Sequence, residues 1–117
     1  MHHISTVTFF GSAESKPDTQ NYQDAYNTAK IVAESGREVV NGGGPGTMLA
    51  ATLGTKAGSG RSVVVYYTPQ YATDFEGKAA ENFADEVYEE PNYIMRTKKL
   101  IELGNAYIIF NGGTGTL

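Results

Sequence analysis

Glu38-Val39-Val40-Asn41-Gly42-Gly43-Gly44-Pro45-Gly46-Thr47-Met48 is the stretch whose reading decides the fold. A short β-prone run ends in a glycine loop, and an Ala/Leu-rich helical stretch, residues 48–56, follows at once. Strand, glycine loop and helix in that order make a βα unit of an α/β protein. Glycine suits such a loop for two physical reasons: it reaches positive φ without strain, and it lets backbone approach a ligand with no Cβ in the way. Consecutive N–H groups then form a concave nest, and the helix behind it adds the positive end of its dipole. The natural guest is a phosphate.

The pattern recurs at the other end of the chain. Asn111-Gly112-Gly113-Thr114-Gly115-Thr116-Leu117 also follows an apolar strand, residues 106–110. In a parallel sheet the C-terminal ends of the strands share one edge, and ligands bind in the crevice outside it, so both loops face the same pocket. The candidate phosphate- or nucleotide-binding residues are therefore Gly42, Gly43, Gly44, Gly46, Thr47 and Met48 in the first loop. In the second they are Gly112, Gly113, Thr114, Gly115 and Thr116, and the hydroxyls of Thr47, Thr114 and Thr116 are further donors. Gly11 and Ser12, in the small-residue turn that ends the first strand, join the set. Glycine turns also serve merely as tight connections, but two of them, both at strand ends and both entering helices, favour a ligand.

Between the loops, strand and helix patterns alternate. Residues 5–10 read as a first strand. Tyr22, Ala25, Tyr26, Ala29, Val32 and Ala33 stand at helical spacing within residues 18–35, with Gly36 placed as a C-cap glycine. Residues 38–40 are a second strand, and the continuous apolar run 61–67 is a strand buried on both faces. Residues 68–83 read as loop with one helical turn near 77–83, residues 85–89 as a fourth strand, and residues 91–103 as a helix with Pro91 in its first turn and Gly104 as its stop. The expected architecture is one domain over residues 1–117, a Rossmann-like α/β fold with a mostly parallel sheet and helices on both faces. The pattern ends where a helix should cover the last strand, so the expectation is either a C-terminally incomplete domain or a partner chain that supplies the cover.

Composition bounds the function. With 117 residues, 40% of them hydrophobic, the chain supports one ordinary core. A net charge of -4 and nine Lys plus Arg without a basic run argue against nucleic acid as a partner. The apolar runs are far below the roughly 20 residues of a membrane span, no secretory signal precedes the first strand, and the absence of cysteine fits a reducing cytoplasm. No metal is expected, because the two histidines, His2 and His3, are terminal and the carboxylates lack ligand spacing. A nucleotide triphosphatase loop would need Lys-Ser/Thr after the glycines, where Thr47-Met48 stands. A nicotinamide enzyme would need three spaced glycines after the first strand, where Gly11-Ser12-Ala13 stands. Pyridoxal chemistry finds no lysine in a recognisable setting, so no cofactor is expected.

The two loops resemble, respectively, the Gly-Gly-Gly-x-x-Gly-x-Met and Pro-Gly-Gly-x-Gly-Thr-x-x-Glu elements of the LOG family, proteins often labelled lysine decarboxylases. Met48 falls on the motif methionine, Pro45 stiffens the first loop, and Asn111 stands where the family has proline. The resemblance implies a homodimeric phosphoribohydrolase that cleaves the N-glycosidic bond of AMP or cytokinin-type nucleoside 5′-monophosphates, releasing the base and ribose 5-phosphate. Related members include molybdenum-cofactor carrier-like proteins, which implies the alternative of a nucleotide or cofactor carrier without catalysis. An Arg-Lys pair of the family maps to Arg96-Thr97, so Arg96 is the implied catalytic residue, binding substrate near the scissile bond. The residues themselves also allow a merely solvated arginine beside Lys98 and Lys99. The motif glutamate, the carboxylate that an oxocarbenium-like transition state needs, falls beyond Leu117, so these residues alone predict binding with little turnover.

Overall fold

The computed structural model describes residues 4–67 and 84–110. The stretch 68–83, read as a loop, and the second glycine loop, residues 111–117, lie outside the described residues. The elements are β1 (Thr6–Phe10), α1 (Gln20–Glu34), β2 (Glu38–Asn41), α2 (Thr47–Ala57), β3 (Ser62–Tyr67), β4 (Glu86–Glu90), α3 (Tyr93–Leu103) and β5 (Ala106–Ile109). Strand and helix alternate as the sequence pattern requires except between β3 and β4, where residues 68–83 lie outside the described residues. The five strands lie in the order β4-β3-β2-β1-β5, and every neighbouring pair is parallel. This is the Rossmann-like α/β class expected.

Each helix shows why it forms and where it stops. Ala25, Ala29 and Ala33 recur every fourth residue along α1 and are buried. Their small side chains let α1 lie so close to α2 that a Cβ on Gly54 would come within 2.1 Å of the Tyr26 carbonyl oxygen. Thr19 caps the start of α1 by accepting from the Tyr22 N–H, and Gly36 ends it at φ +88. The third helix begins later than Pro91 suggests. Asn92 is its N-cap, with Oδ1 accepting from the Met95 N–H at 2.9 Å, so Pro91 lies outside the helix.

Strand alternation sends two cores to opposite faces of the sheet. Val7, Phe9 and Val39 pack with Ala29 of α1 and Ala51 of α2, whereas Val40, Val63 and Val65 pack with Leu100 of α3. Helices therefore cover both faces. β3 is interior and buried along all but its last residue, as its apolar run predicts, while β4, with three glutamates in five residues, is an edge. The chain steps from β1 outward to β4 and then returns to lay β5 on the other side of β1, which puts the topological switch point between β1 and β5. No helix among the described residues is long and apolar enough to cross a membrane.

Candidate functional site

The first glycine loop leaves β2 at the carboxyl edge of the sheet and enters α2, and Gly42, Gly43, Gly44 and Gly46 are all buried there. Two of them need positive φ: Gly43 at +73 and Gly46 at +71. What a side chain would meet is protein in each case. A Cβ on Gly43 would reach 2.1 Å from Cε1 of Tyr66, and one on Gly46 would reach 2.5 Å from the Ser12 carbonyl oxygen. Glycine was expected here for close approach to a ligand, and its Cβ positions are taken by close approach to neighbouring protein. The loop's donors are also partly committed. Gly43 N–H donates to Asn41 Oδ1 at 2.7 Å, and Thr47 N–H donates to the Ser12 carbonyl at 3.0 Å.

Gly11 and Ser12 belong to the same region, as the sequence set had them. A Cβ on Gly11 would lie 2.4 Å from Cγ2 of Thr47, so the end of β1 touches the start of α2 beside the switch point. Thr47 itself is completely buried, with its Oγ1 donating to Ser15 Oγ at 3.3 Å. The first turn of α2 is more open in chemistry: Gly46 is the N-cap, and no side chain hydrogen-bonds there. A helix start leaves backbone N–H groups without helical partners, and together with the dipole they suit an anion.

Arg96 reaches this loop from the opposite face of the sheet. Its Nε donates to the Val65 carbonyl and its Nη2 to the Gly42 carbonyl, each at 3.1 Å, and Nη2 lies 3.3 Å from Sδ of Met48. The rings of Tyr67 and Tyr93 stand 5.8 and 5.6 Å from the guanidinium carbon and meet each other edge to face. Burial pushes the Arg96 pKa below its ordinary value, against the opposing influence of Tyr93 and Tyr67, yet so basic a group stays charged. Its polar partners among the described residues are two main-chain carbonyls and a thioether, with no carboxylate to neutralise it. The reading of Arg96 as a solvated surface residue does not hold.

The structure thus brings together Gly11, Ser12, Gly42, Gly43, Gly44, Gly46, Thr47, Met48 and Arg96. Gly112, Gly113, Thr114, Gly115 and Thr116 fall outside the described residues, although β5 delivers the chain beside β1 at the carboxyl edge. Sequence reasoning missed Asn41, Tyr66 and Tyr67. Asn41 is fully buried and also donates from Nδ2 to Thr52 Oγ1 at 2.8 Å, tying the loop to α2. An Asn directly before a glycine run, able to bond the N–H two residues on, was the available signal. Among the described residues no group of three or more His, Cys, Asp or Glu is placed to hold a metal.

Residues 4–117 match the model of the SLOG cluster4 family. Among solved structures, the chain is similar to the molybdenum cofactor carrier protein of Chlamydomonas reinhardtii, with a TM-score of 0.74, 17% identity and coverage of 97% of this chain and 66% of that one. It is also similar to the molybdenum cofactor binding protein of the phototrophic bacterium Rippkaea orientalis, with a TM-score of 0.75, 17% identity and coverage of 98% and 67%. The chain thus spans about two thirds of the length of these structures. At that identity the likeness is one of fold. No curated protein matches the sequence.

Proposed function

The chain belongs to the SLOG cluster4 family, and from that membership we propose that it binds a phosphorylated heterocycle and carries it without turnover. Nucleoside 5′-monophosphates such as AMP and phosphorylated pterin cofactors share that chemistry. The observation that carries the reading is the start of α2, which has no side-chain cap, touches the end of β1 at the switch point and lies beside a guanidinium with no carboxylate partner among the described residues. Free helix-start donors, the helix dipole and a nearby positive charge would together favour an anion there. The second loop, Gly112 to Thr116, would complete the cradle from β5. The two similar structures are named for binding molybdenum cofactor, which supports a carrier.

Titration calorimetry with AMP, adenosine and inorganic phosphate tests this. AMP should bind saturably, adenosine at least about tenfold more weakly, since charge-assisted hydrogen bonds to phosphate are lost. Equal affinity for AMP and adenosine would sink the phosphate anchor. A pterin monophosphate in the same titration distinguishes the two ligand sources.

A second reading is hydrolysis of the N-glycosidic bond, supported by Arg96 lying next to Met48, two residues that the LOG resemblance singles out separately. Release of adenine and ribose 5-phosphate from AMP would establish it over the carrier. We also propose a homodimer, because the large apolar side chains left exposed include Ile94, Met95 and Ile101 on α3 and Tyr107 and Ile109 on β5.

A further inference from the structure

Gly42 poses a question that phosphate binding does not answer. Its φ is not in the positive range that Gly43 and Gly46 adopt, so its backbone would accept an alanine. What it cannot accept is a side chain in the space that Arg96 fills: a Cβ would lie 1.6 Å from Nη2 and 2.5 Å from Cζ of that guanidinium. Gly42 is a socket for Arg96. We infer that Arg96 is a positioning residue, a clasp that holds the phosphate-binding loop by the Gly42 carbonyl, and that it acts on ligand affinity through that carbonyl.

The geometry of the fork supports this. Nε and Nη2 bond carbonyls at the carboxyl ends of two adjacent strands, Val65 in β3 and Gly42 just past β2. One planar group therefore fixes the loop relative to the sheet, a task that needs two divergent donors and that a lysine ammonium on its flexible stem fulfils poorly. The flanking rings of Tyr67 and Tyr93 keep the guanidinium in line. From the opposite face Asn41 bonds the Gly43 N–H and Thr52. The loop is held on both sides, through the carbonyl of Gly42 and through the amide of Gly43. Pinning a peptide before the ligand arrives removes ordering cost from binding.

The inference rests on the proposed phosphate-binding reading for its functional consequence and not for the clasp itself, so two readouts are needed. The first uses no ligand: amide hydrogen exchange of the loop, residues 42–46, in the wild type, Arg96→Lys, Arg96→Gln and Gly42→Ala. Each variant should raise exchange there by about tenfold while α1 stays as in the wild type, because losing the clasp opens the loop locally. Gly42→Ala keeps the positive charge and displaces only the flexible end of a side chain, so the fold survives and charge and clasp are separated. The second readout is AMP affinity, which should fall about tenfold or more in all three, with no additional loss in Gly42→Ala/Arg96→Gln over either single change. Unchanged loop exchange in Arg96→Gln overturns the clasp, as does wild-type AMP affinity in Arg96→Lys, which would mean that charge alone suffices. If the wild type binds no AMP but loop exchange responds as stated, the clasp stands and the phosphate reading falls.

Discussion

At Gly36 and Gly43 the same backbone requirement meets different surroundings. Both have positive φ, +88 and +73, but a Cβ on Gly36 meets nothing within 4 Å whereas one on Gly43 strikes the Tyr66 ring. Gly36→Ala should therefore cost only the left-handed strain, about 1 kcal/mol. Gly43→Ala adds the displacement of a buried ring, and we expect roughly 2–4 kcal/mol in all. Chemical denaturation of the two variants measures the difference, and equal losses would mean that the loop yields to Tyr66 without cost. The glycines after Asn41 are visible in any reading of the sequence, but their separate reasons are not. Gly42 serves a guanidinium, Gly43 a tyrosine ring and Gly46 the Ser12 turn, all contacts between segments far apart in the chain.

The elements carry their own punctuation, which is why most boundaries could be read in advance. Thr19 and Gly36 bracket α1, and Asn92 starts α3 through a local bond to the Met95 N–H. The proline that looked like the first turn of α3 was the misleading sign, because Asn92 next to it is the stronger cap. Asn92→Ala removes the Oδ1 bond to the Met95 N–H and should cost about 1 kcal/mol, measured by chemical denaturation. At the opposite edge of the sheet Asp85 ties β3 to α2. Its Oδ2 accepts from the Ser62 N–H at 2.8 Å and from Lys56 Nζ at 3.0 Å, and these hold its pKa below the ordinary 3.8. A carboxyl whose pKa is lowered on folding stabilises the protein above its unfolded pKa, and that contribution is lost as pH falls through the folded value. Asp85→Asn should thus be less stable than wild type above about pH 4 and converge with it in stronger acid. With both side chains more than a third exposed the ion pair is a minor part, and 0.5 M salt should leave most of the difference in place, about 1 kcal/mol or less, as the amide bond carries it.

Over the whole molecule, the cover of the sheet is uneven. α1 and α2 pack on one face, while α3 on the other leaves Tyr107 and Ile109 of β5 about half exposed, and Ile94 and Ile101 project from α3 itself. The proposed homodimer would use this face, so Ile101→Glu should sediment as a folded monomer where the wild type sediments as a dimer; a monomeric wild type or an unchanged dimer in the variant would overturn this face as the interface. The alternation of apolar strand and amphipathic helix determined the α/β class and the parallel sheet, because period and run length are local properties of a chain. The glycine run after β2 also announced where a loop would meet the carboxyl edge. The place of β5 beside β1, and with it the switch point, was decided by tertiary structure. So was the role of Arg96, whose sequence neighbours Lys98 and Lys99 suggest a wet surface. Its partners are the carbonyls of Val65 and Gly42, 31 and 54 residues away. Every residue has a carbonyl, so a bond to one leaves no mark on the residue type that supplies it, and only the fold can say which two a guanidinium will find.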